Sequence, residues 1–395
     1  MNPLADPYPA YRLLREHAPV HAAAPGRWLV TRHADVEALL FDSRCVHWGQ
    51  DAQGDLRRKP DEQALAEAMR LFAPSAPASP LRHDLSAAIS QVAVERMHAE
   101  LGPLCDRLLD SFVAGQARDA VAGYAHPVTL FALGCLLGLS RPQTVQLAEA
   151  VGELQVPFFS CVSTTGTAPP RDASVARLQR CLDELIACGE QYPGTTLLGR
   201  LCAGAGAGAY TDRAAPSHRL RNMLLVLIYA AHHNLANFIG NGLFALASQP
   251  DALRQLEREP GLIDRAVLEL LRYDSPLQHI VLTARESFEL HGCTIGCGDE
   301  ILACVGSANR DDAVFTVPDR LDFSRANPQK LLSFGAGPWR CVGAKLALRI
   351  GSVVFAKIVA RGFALAAGTG ALRWHHTPIV QRGLVALPLL VHFNV

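Results

Sequence analysis

The chain has 395 residues, 49% of them hydrophobic and 19% charged, which supplies a large buried core and excludes global disorder. Lys and Arg together number 37, as do Asp and Glu, so 37 − 37 leaves no formal charge. That argues against a general nucleic-acid binder, which needs a basic surface, while leaving room for a local basic patch.

The first seven residues carry no basic run ahead of an apolar stretch, so no secretory leader is expected and the protein is placed in the cytoplasm. The eleven cysteines, an odd number, then read as reduced thiols rather than a disulfide framework. Residues 10–15 read as a short helix, 28–31 as a strand and 34–41 as a helix. Residues 46–80 mix charge, Gly and Pro and read as a long mobile connection around one helix near 62–71. From 84 to 246 apolar residues recur at three- and four-residue spacing, the mark of helices, with loop composition at 162–170 and 203–216. The longest obvious apolar run, 223–231, is far shorter than a bilayer span and ends in His232-His233-Asn234, so no membrane anchor is expected. Beyond Leu271, residues 288–290 and 300–303 flank a Gly-containing stretch and read as the arms of a hairpin. A glycine-rich segment, 334–343, leads into a helix over 344–360. With no repeat and no linker composition, the expectation is one domain, 1–395, mainly α with a small β region.

The strongest chemical signal is Phe334-Gly335-Ala336-Gly337-Pro338-Trp339-Arg340-Cys341-Val342-Gly343. It places one cysteine between a glycine-bent turn and the start of a helix. Backbone N–H groups at a helix N-terminus favour an anion, so Cys341 is set up as a thiolate. Gly335 and Gly337 let the turn bend, and Gly343 removes a side chain where a flat cofactor can lie. A thiolate supplied this way suits an axial ligand to haem iron, where it pushes electron density toward O–O cleavage. A structural buried thiol is the competing reading, and the one adopted for most of the other cysteines.

In this segment the chain resembles the cytochrome P-450 family of haem-thiolate monooxygenases. It matches F-G-x-G-x-[HR]-x-C-x-G at every fixed place but one. Glu269-Leu270-Leu271-Arg272 matches the family's E-x-x-R, and Asp6-Pro7-Tyr8-Pro9, Leu29-Val30-Thr31-Arg32, Ser307-Ala308-Asn309-Arg310-Asp311, Pro318-Asp319-Arg320 and Arg382-Gly383-Leu384 follow in the expected order. The resemblance implies a mainly α cytochrome P-450 fold, a large helical domain with a small β-sheet region, of the soluble bacterial type. It implies haem b with Cys341 as iron ligand, and contacts from Phe334, Gly335, Arg340 and Gly343. Glu269 and Arg272, three apart on one helix face, can pair; the resemblance implies that they lock the loop before the cysteine through Arg320.

Departures from the family pattern stand out. Its central helix carries A-G-x-[DE]-T, where this chain has Ala230-Ala231-His232-His233-Asn234. His233 and Asn234 thus stand where the acid and threonine deliver protons; His relays protons near neutral pH and Asn donates and accepts hydrogen bonds. A polar helix face is the bland alternative, adopted for His232. Of four places that usually offer cations to the haem propionates, Trp339, Leu282 and Ser86 have none and Arg82 keeps one; Arg340 and His83 are candidate substitutes. Arg340, Lys345, Arg349 and Lys357 suggest a basic face for a ferredoxin supplied by its reductase. The leading reading is therefore an oxidase tailoring a small-molecule or peptide-derived substrate, by hydroxylation or by oxidative coupling or cyclisation. A non-catalytic binding module of the same fold and a peroxide-dependent haem enzyme are the alternatives.

Overall fold

The computed structural model describes residues 6–47, 85–86, 89, 92–113, 115–153, 173–191, 196–206, 216–366, 372–375 and 380–391. In chain order the helices used below are α1 (Tyr8–His17), α2 (His33–Phe41), α3 (Val92–Asp110), α4 (His126–Leu137), α5 (Arg141–Gly152), α6 (Ala173–Glu190), α7 (Leu197–Gly206), α8 (Pro216–Ile228), α9 (Asn234–Ser248), α10 (Pro250–Arg258), α11 (Ile263–Tyr273), α12 (Val305–Ala308) and α13 (Ala344–Arg361). The strands are β1 (Val20–Ala24), β2 (Arg27–Val30), β3 (Cys45–His47), β4 (Arg118–Asp119), β5 (Ile280–Ala284), β6 (Phe288–Leu290), β7 (Cys293–Ile295), β8 (Glu300–Ala303), β9 (Phe363–Leu365) and β10 (Pro388–Val391). The chain gathers into two compact units, one of Met1–Trp48, Leu101–Val128 and Asn234–Val395, the other of Gly49–Glu100 and Thr129–His233.

In the first unit a five-stranded sheet runs β1-β2-β8-β5-β3. Only β2 and β8 are parallel in it. Its apolar side, with Val30, Leu282 and Ile301, closes over Val36 and Leu40 of α2. The strand at 300–303 is where the composition placed it, but its partner is different. Residues 288–290 pair with β7, through a reversal at His291-Gly292 where both residues have positive φ, 50° and 74°. Two left-handed residues make the tight turn that right-twisted strands favour, so the hairpin closes after two residues. That leaves β8 to pair with β5 and β2.

The second unit is built from helices. Ser140 and Gln143 form a capping box that starts α5, and α6 packs on α5, α7 and α8. Of the loop expected at 203–216, residues 203–206 continue α7 and Pro216 opens α8. The connections expected at 162–170 and at 48–80 lie outside the described residues, while 46–47 belong to β3.

The apolar run at 223–231 does not stop at its histidines. Leu220–Ser248 is a single helix of 29 residues, long and apolar enough to cross a membrane by length and composition. Some 67% of its most apolar window is buried inside the protein, the pattern of a core helix. Within it, Tyr229–His233 forms a wider π turn between α8 and α9.

Within the first unit α9 packs on α13, and this contact sets the site. Phe238 and Phe355 meet edge to face with ring centroids 5.4 Å apart. Gly242 permits the approach, because a Cβ there would lie 2.5 Å from the Phe355 ring. A Gly242→Ala protein should therefore lose about 1–3 kcal/mol by overpacking, read as a lower urea midpoint. Adding Phe355→Leu should recover part of that loss, although Phe355→Leu alone destabilises.

Candidate active site

The segment before α13 is folded by its own backbone. Gly335 and Gly337 adopt φ of 67° and 56°, a left-handed conformation that side chains resist, and a Cβ on Gly337 would lie 2.7 Å from the Phe41 ring. The Cys341 N–H donates to the Phe334 carbonyl at 2.8 Å, closing the loop, and Phe334 is half-buried. Cys341 follows the short 3-10 turn Gly337–Trp339 and precedes the first residue of α13 by three positions.

Its thiol differs from most of the others. Burial pushes the thiols of Cys45 and Cys304 up to about 12, and those of Cys105, Cys181 and Cys202 up to about 11. Those groups are inert. Cys341 is exposed, at the N-terminus of an 18-residue helix. Cys297 is also exposed, and its thiol donates to the Arg285 carbonyl at 3.0 Å. A Cβ on Gly343 would lie 3.7 Å from the Cys341 sulfur, an ordinary van der Waals contact, so Gly343 borders the sulfur without steric need for glycine at that point. An exposed thiol on a glycine turn, just ahead of a helix N-terminus, fits a thiolate-ligated haem.

What holds this loop is buried. Glu269 and Arg272 are 2% and 1% exposed, and two N–H groups of Arg272 donate to the two carboxylate oxygens at 2.8 Å each. Arg325 supplies a second guanidinium, with Nε 3.0 Å from Oε2 and Nη2 3.1 Å from Oε1. The Asp322 N–H adds a third donor at 3.0 Å. Arg320, the residue expected to complete the lock, does so only through its backbone: its carbonyl accepts from Arg272 at 3.3 Å while its side chain is exposed. The correction has a simple cause. Arg320 lies on an exposed turn, and the chain comes back toward Glu269 only at Asp322 and Arg325.

The lock reaches the cysteine loop through Asn309. Arg272 donates to the Asn309 carbonyl at 2.8 Å. The Asn309 side chain accepts from the Leu332 N–H at 2.7 Å and donates to the Ser333 hydroxyl at 2.8 Å. Ser333 in turn donates to the Leu271 carbonyl at 2.8 Å. The two residues before Phe334 are thereby tied to the helix that carries Glu269.

On the helix face, the residues at the family's acid and threonine places have different surroundings. His232 is buried, its Nδ1 2.7 Å from the Thr129 hydroxyl, which is a structural use. His233, half-buried, packs at a tilt against Tyr229 and His232 at centroid distances of 5.2 and 5.1 Å. It closes the π turn, a geometry often found at functional sites. Asn234, half-buried at the start of α9, accepts from Gln381 Nε2 at 2.9 Å. Gln381 carried no signal in the sequence; only its place beside Arg382-Gly383-Leu384 could have drawn attention.

Among the expected cations, Arg82 and His83 lie outside the described residues, and Ser86 is exposed. Leu282 is fully buried in the sheet core. Arg340 is exposed beside Cys341, and Lys345 and Arg349, also exposed, share one face of α13. Lys357 does not join them: its ammonium pairs with Asp106 at 2.6 Å, and Arg361 pairs with Asp110 at 2.7 Å, so that end of α13 is neutralised.

A family model for cytochrome P450 matches residues 211–367. The chain is 31% identical to nocardicin C N-oxygenase of Nocardia uniformis subsp. tsuyamanensis, over 98% of this chain and 96% of that one. It is 30% identical to vitamin D(3) 25-hydroxylase of Pseudonocardia autotrophica, over 97% and 93%. Among solved structures, a cytochrome P450 enzyme for C–S bond formation in chuangxinmycin biosynthesis superposes with a TM-score of 0.82, at 26% identity, covering 99% of this chain and 96% of that one.

The geometry separates the two arginines by experiment. Glu269→Ala leaves buried guanidiniums without their anion and should cost roughly 3–5 kcal/mol in urea unfolding. Arg325→Ala should be of the same order, whereas Arg320→Ala, which removes only an exposed side chain, should stay within about 0.5 kcal/mol.

Proposed function

The chain belongs to the cytochrome P450 family, and on that premise we propose that it is a haem-thiolate oxidoreductase, with Cys341 as the iron ligand, tailoring a small organic or peptide-derived substrate in biosynthesis. The observation that carries the assignment is the exposed Cys341 thiol on a glycine turn that the buried Glu269–Arg272 pair holds through Asn309. Family membership brings the haem and the enzyme class; an oxygenase, a hydroxylase and a C–S bond-forming enzyme among the relatives support oxidative tailoring without choosing the reaction. Bound haem supplies the reductive activation of dioxygen.

The chain's own residues divide the work. Cys341 donates its sulfur, and the backbone of the 334–341 turn holds that sulfur in place. Phe334, Gly335 and Gly343 shape the turn's side of the haem seat, and Arg340, with Arg82 and His83, supplies cations for its propionates. We assign proton handling to His233 and Asn234, in place of an acid and a threonine. An imidazole takes up and gives back a proton near neutral pH, and an amide passes hydrogen bonds without changing charge. Exposed Arg340, Lys345 and Arg349 form the basic face for an acidic ferredoxin; the pairing of Lys357 removes it from that face. The whole chain, 1–395, is read as one such catalytic domain.

The reduced, carbon monoxide-bound absorption spectrum of the purified protein tests the assignment. The thiolate-type band should be present in the native protein and lost in Cys341→Ser; an unchanged band in Cys341→Ser excludes it as the ligand. A native protein with no such band supports the non-catalytic module. Replacing His233→Glu and Asn234→Thr together should change either product identity or the peroxide released per electron consumed. No change in either, with substrate bound normally, removes both residues from the proton path.

A further inference from the structure

The segment carrying Gln381 is held from two directions within the first unit. On one side it pairs with the chain after α11: the Gln278 N–H donates to the Val380 carbonyl at 2.7 Å, and the Arg382 N–H donates to the Pro276 carbonyl at 2.8 Å. Leu277 and Gln381 face each other in an antiparallel bridge. On the other side it meets α9. Asn234, Asn237 and Asn241 fall at i, i+3 and i+7, one stripe of the helix. Asn241 donates to the Arg382 carbonyl at 3.1 Å. Asn237 lies so close to Gly383 that any side chain there would collide with its amide. Asn234 receives the Gln381 amide at 2.9 Å. Arg382 anchors the segment further, paired with Asp274 at 2.8 Å and stacked 3.5 Å over Trp374.

We infer that Gln381 is a positioning residue for Asn234: it fixes the Asn234 side-chain amide, so that Asn234 and Gln381 form one polar unit, delivered from two different elements. This rests on the proposed role of Asn234 and deepens it. The backbone clamps leave Gln381 little freedom, and its Nε2 donor dictates which end of the Asn234 amide turns toward it. A short amide just after a π turn within a helix still has rotamers to choose among; a fixed partner selects one. A threonine at that place, by contrast, has a stiff β-branched side chain and needs no such partner to be ordered.

A double-mutant cycle in the haem-loaded protein tests this, with imidazole binding to the haem, followed by its absorption shift, as the readout. The variants are Asn234→Leu, Gln381→Leu and the two together, with the reduced carbon monoxide spectrum checking that haem and thiolate remain. The expectation is that each single change shifts the imidazole dissociation constant about threefold or more, and that the double variant shifts it no further than the larger single one, as for side chains in contact. Exchanging the pair, Asn234→Gln with Gln381→Asn, should return the constant toward its native value. Shifts that multiply, or no shift from Gln381→Leu, overturn the inference. If Gln381→Leu loses haem, Gln381→Glu keeps the length while replacing the donor, and the same comparison applies. Peroxide release by Asn234→Leu separates this inference from the reading beneath it: a coupled pair with unchanged peroxide release keeps the positioning role and discards Asn234 from proton handling, whereas raised release with independent shifts does the reverse.

Discussion

One carboxylate, that of Glu269, organises the site. It is withdrawn from water almost completely, and so are the two guanidiniums that meet it. Burial lowers the Arg272 pKa by penalising its charge, and the hydrogen bonds to Glu269 oppose that penalty. A buried anion with two cations still leaves positive charge in the interior, and carbonyls absorb it: Arg272 donates to those of Asn309 and Arg320, Arg325 to that of Thr316. Such a cluster tolerates little displacement, because every donor or acceptor that loses its partner is left without water. Three stretches of chain, at 309, 316–325 and 332–333, are therefore fixed in place by one helix.

The consequence for the cysteine loop is preorganisation. Leu332 and Ser333 are tied to Asn309 before the chain turns at Gly335 and Gly337, so the loop enters its turn from a fixed point. It leaves into α13, whose Phe355 is seated on α9. The sulfur of Cys341 and the side chain of Asn234 are thus carried by elements that pack against one another, and a site built on helices is positioned more accurately than one built on loops alone.

The departures from the family pattern fall on the helix face and the cation places, Trp339 of the cysteine turn among them, while the Glu269–Arg272 pair and the turn's glycines and cysteine keep the pattern. Of the neighbouring histidines, His232 is committed to Thr129, while His233 packs against Tyr229 and His232. Asn234 is in turn joined to Gln381, from a segment that three asparagines of α9 hold by polar contact or close approach. Polar side chains that satisfy one another across two elements have their geometry set by both.

The sequence by itself determined what is local. The helices read at 10–15, 34–41 and 344–360 stand at 8–17, 33–41 and 344–361, and the cysteine turn was legible from glycines within a few residues of Cys341, because both depend on neighbours in the chain. The Glu269–Arg272 pair was legible for the same reason, at three residues' spacing on one helix. The tertiary structure decided the choice of distant partner. Arg325 rather than the side chain of Arg320 meets Glu269, Asn309 carries the lock to the cysteine loop, and Gln381 reaches Asn234 across 147 positions. Strand pairing followed the same rule: Phe288–Leu290 turned back on Cys293–Ile295, and Glu300–Ala303 went to the larger sheet. Spacing along a chain specifies which face of an element a residue occupies, but which faces meet depends on how the whole core closes, and that is a property of packing rather than of any one stretch of residues.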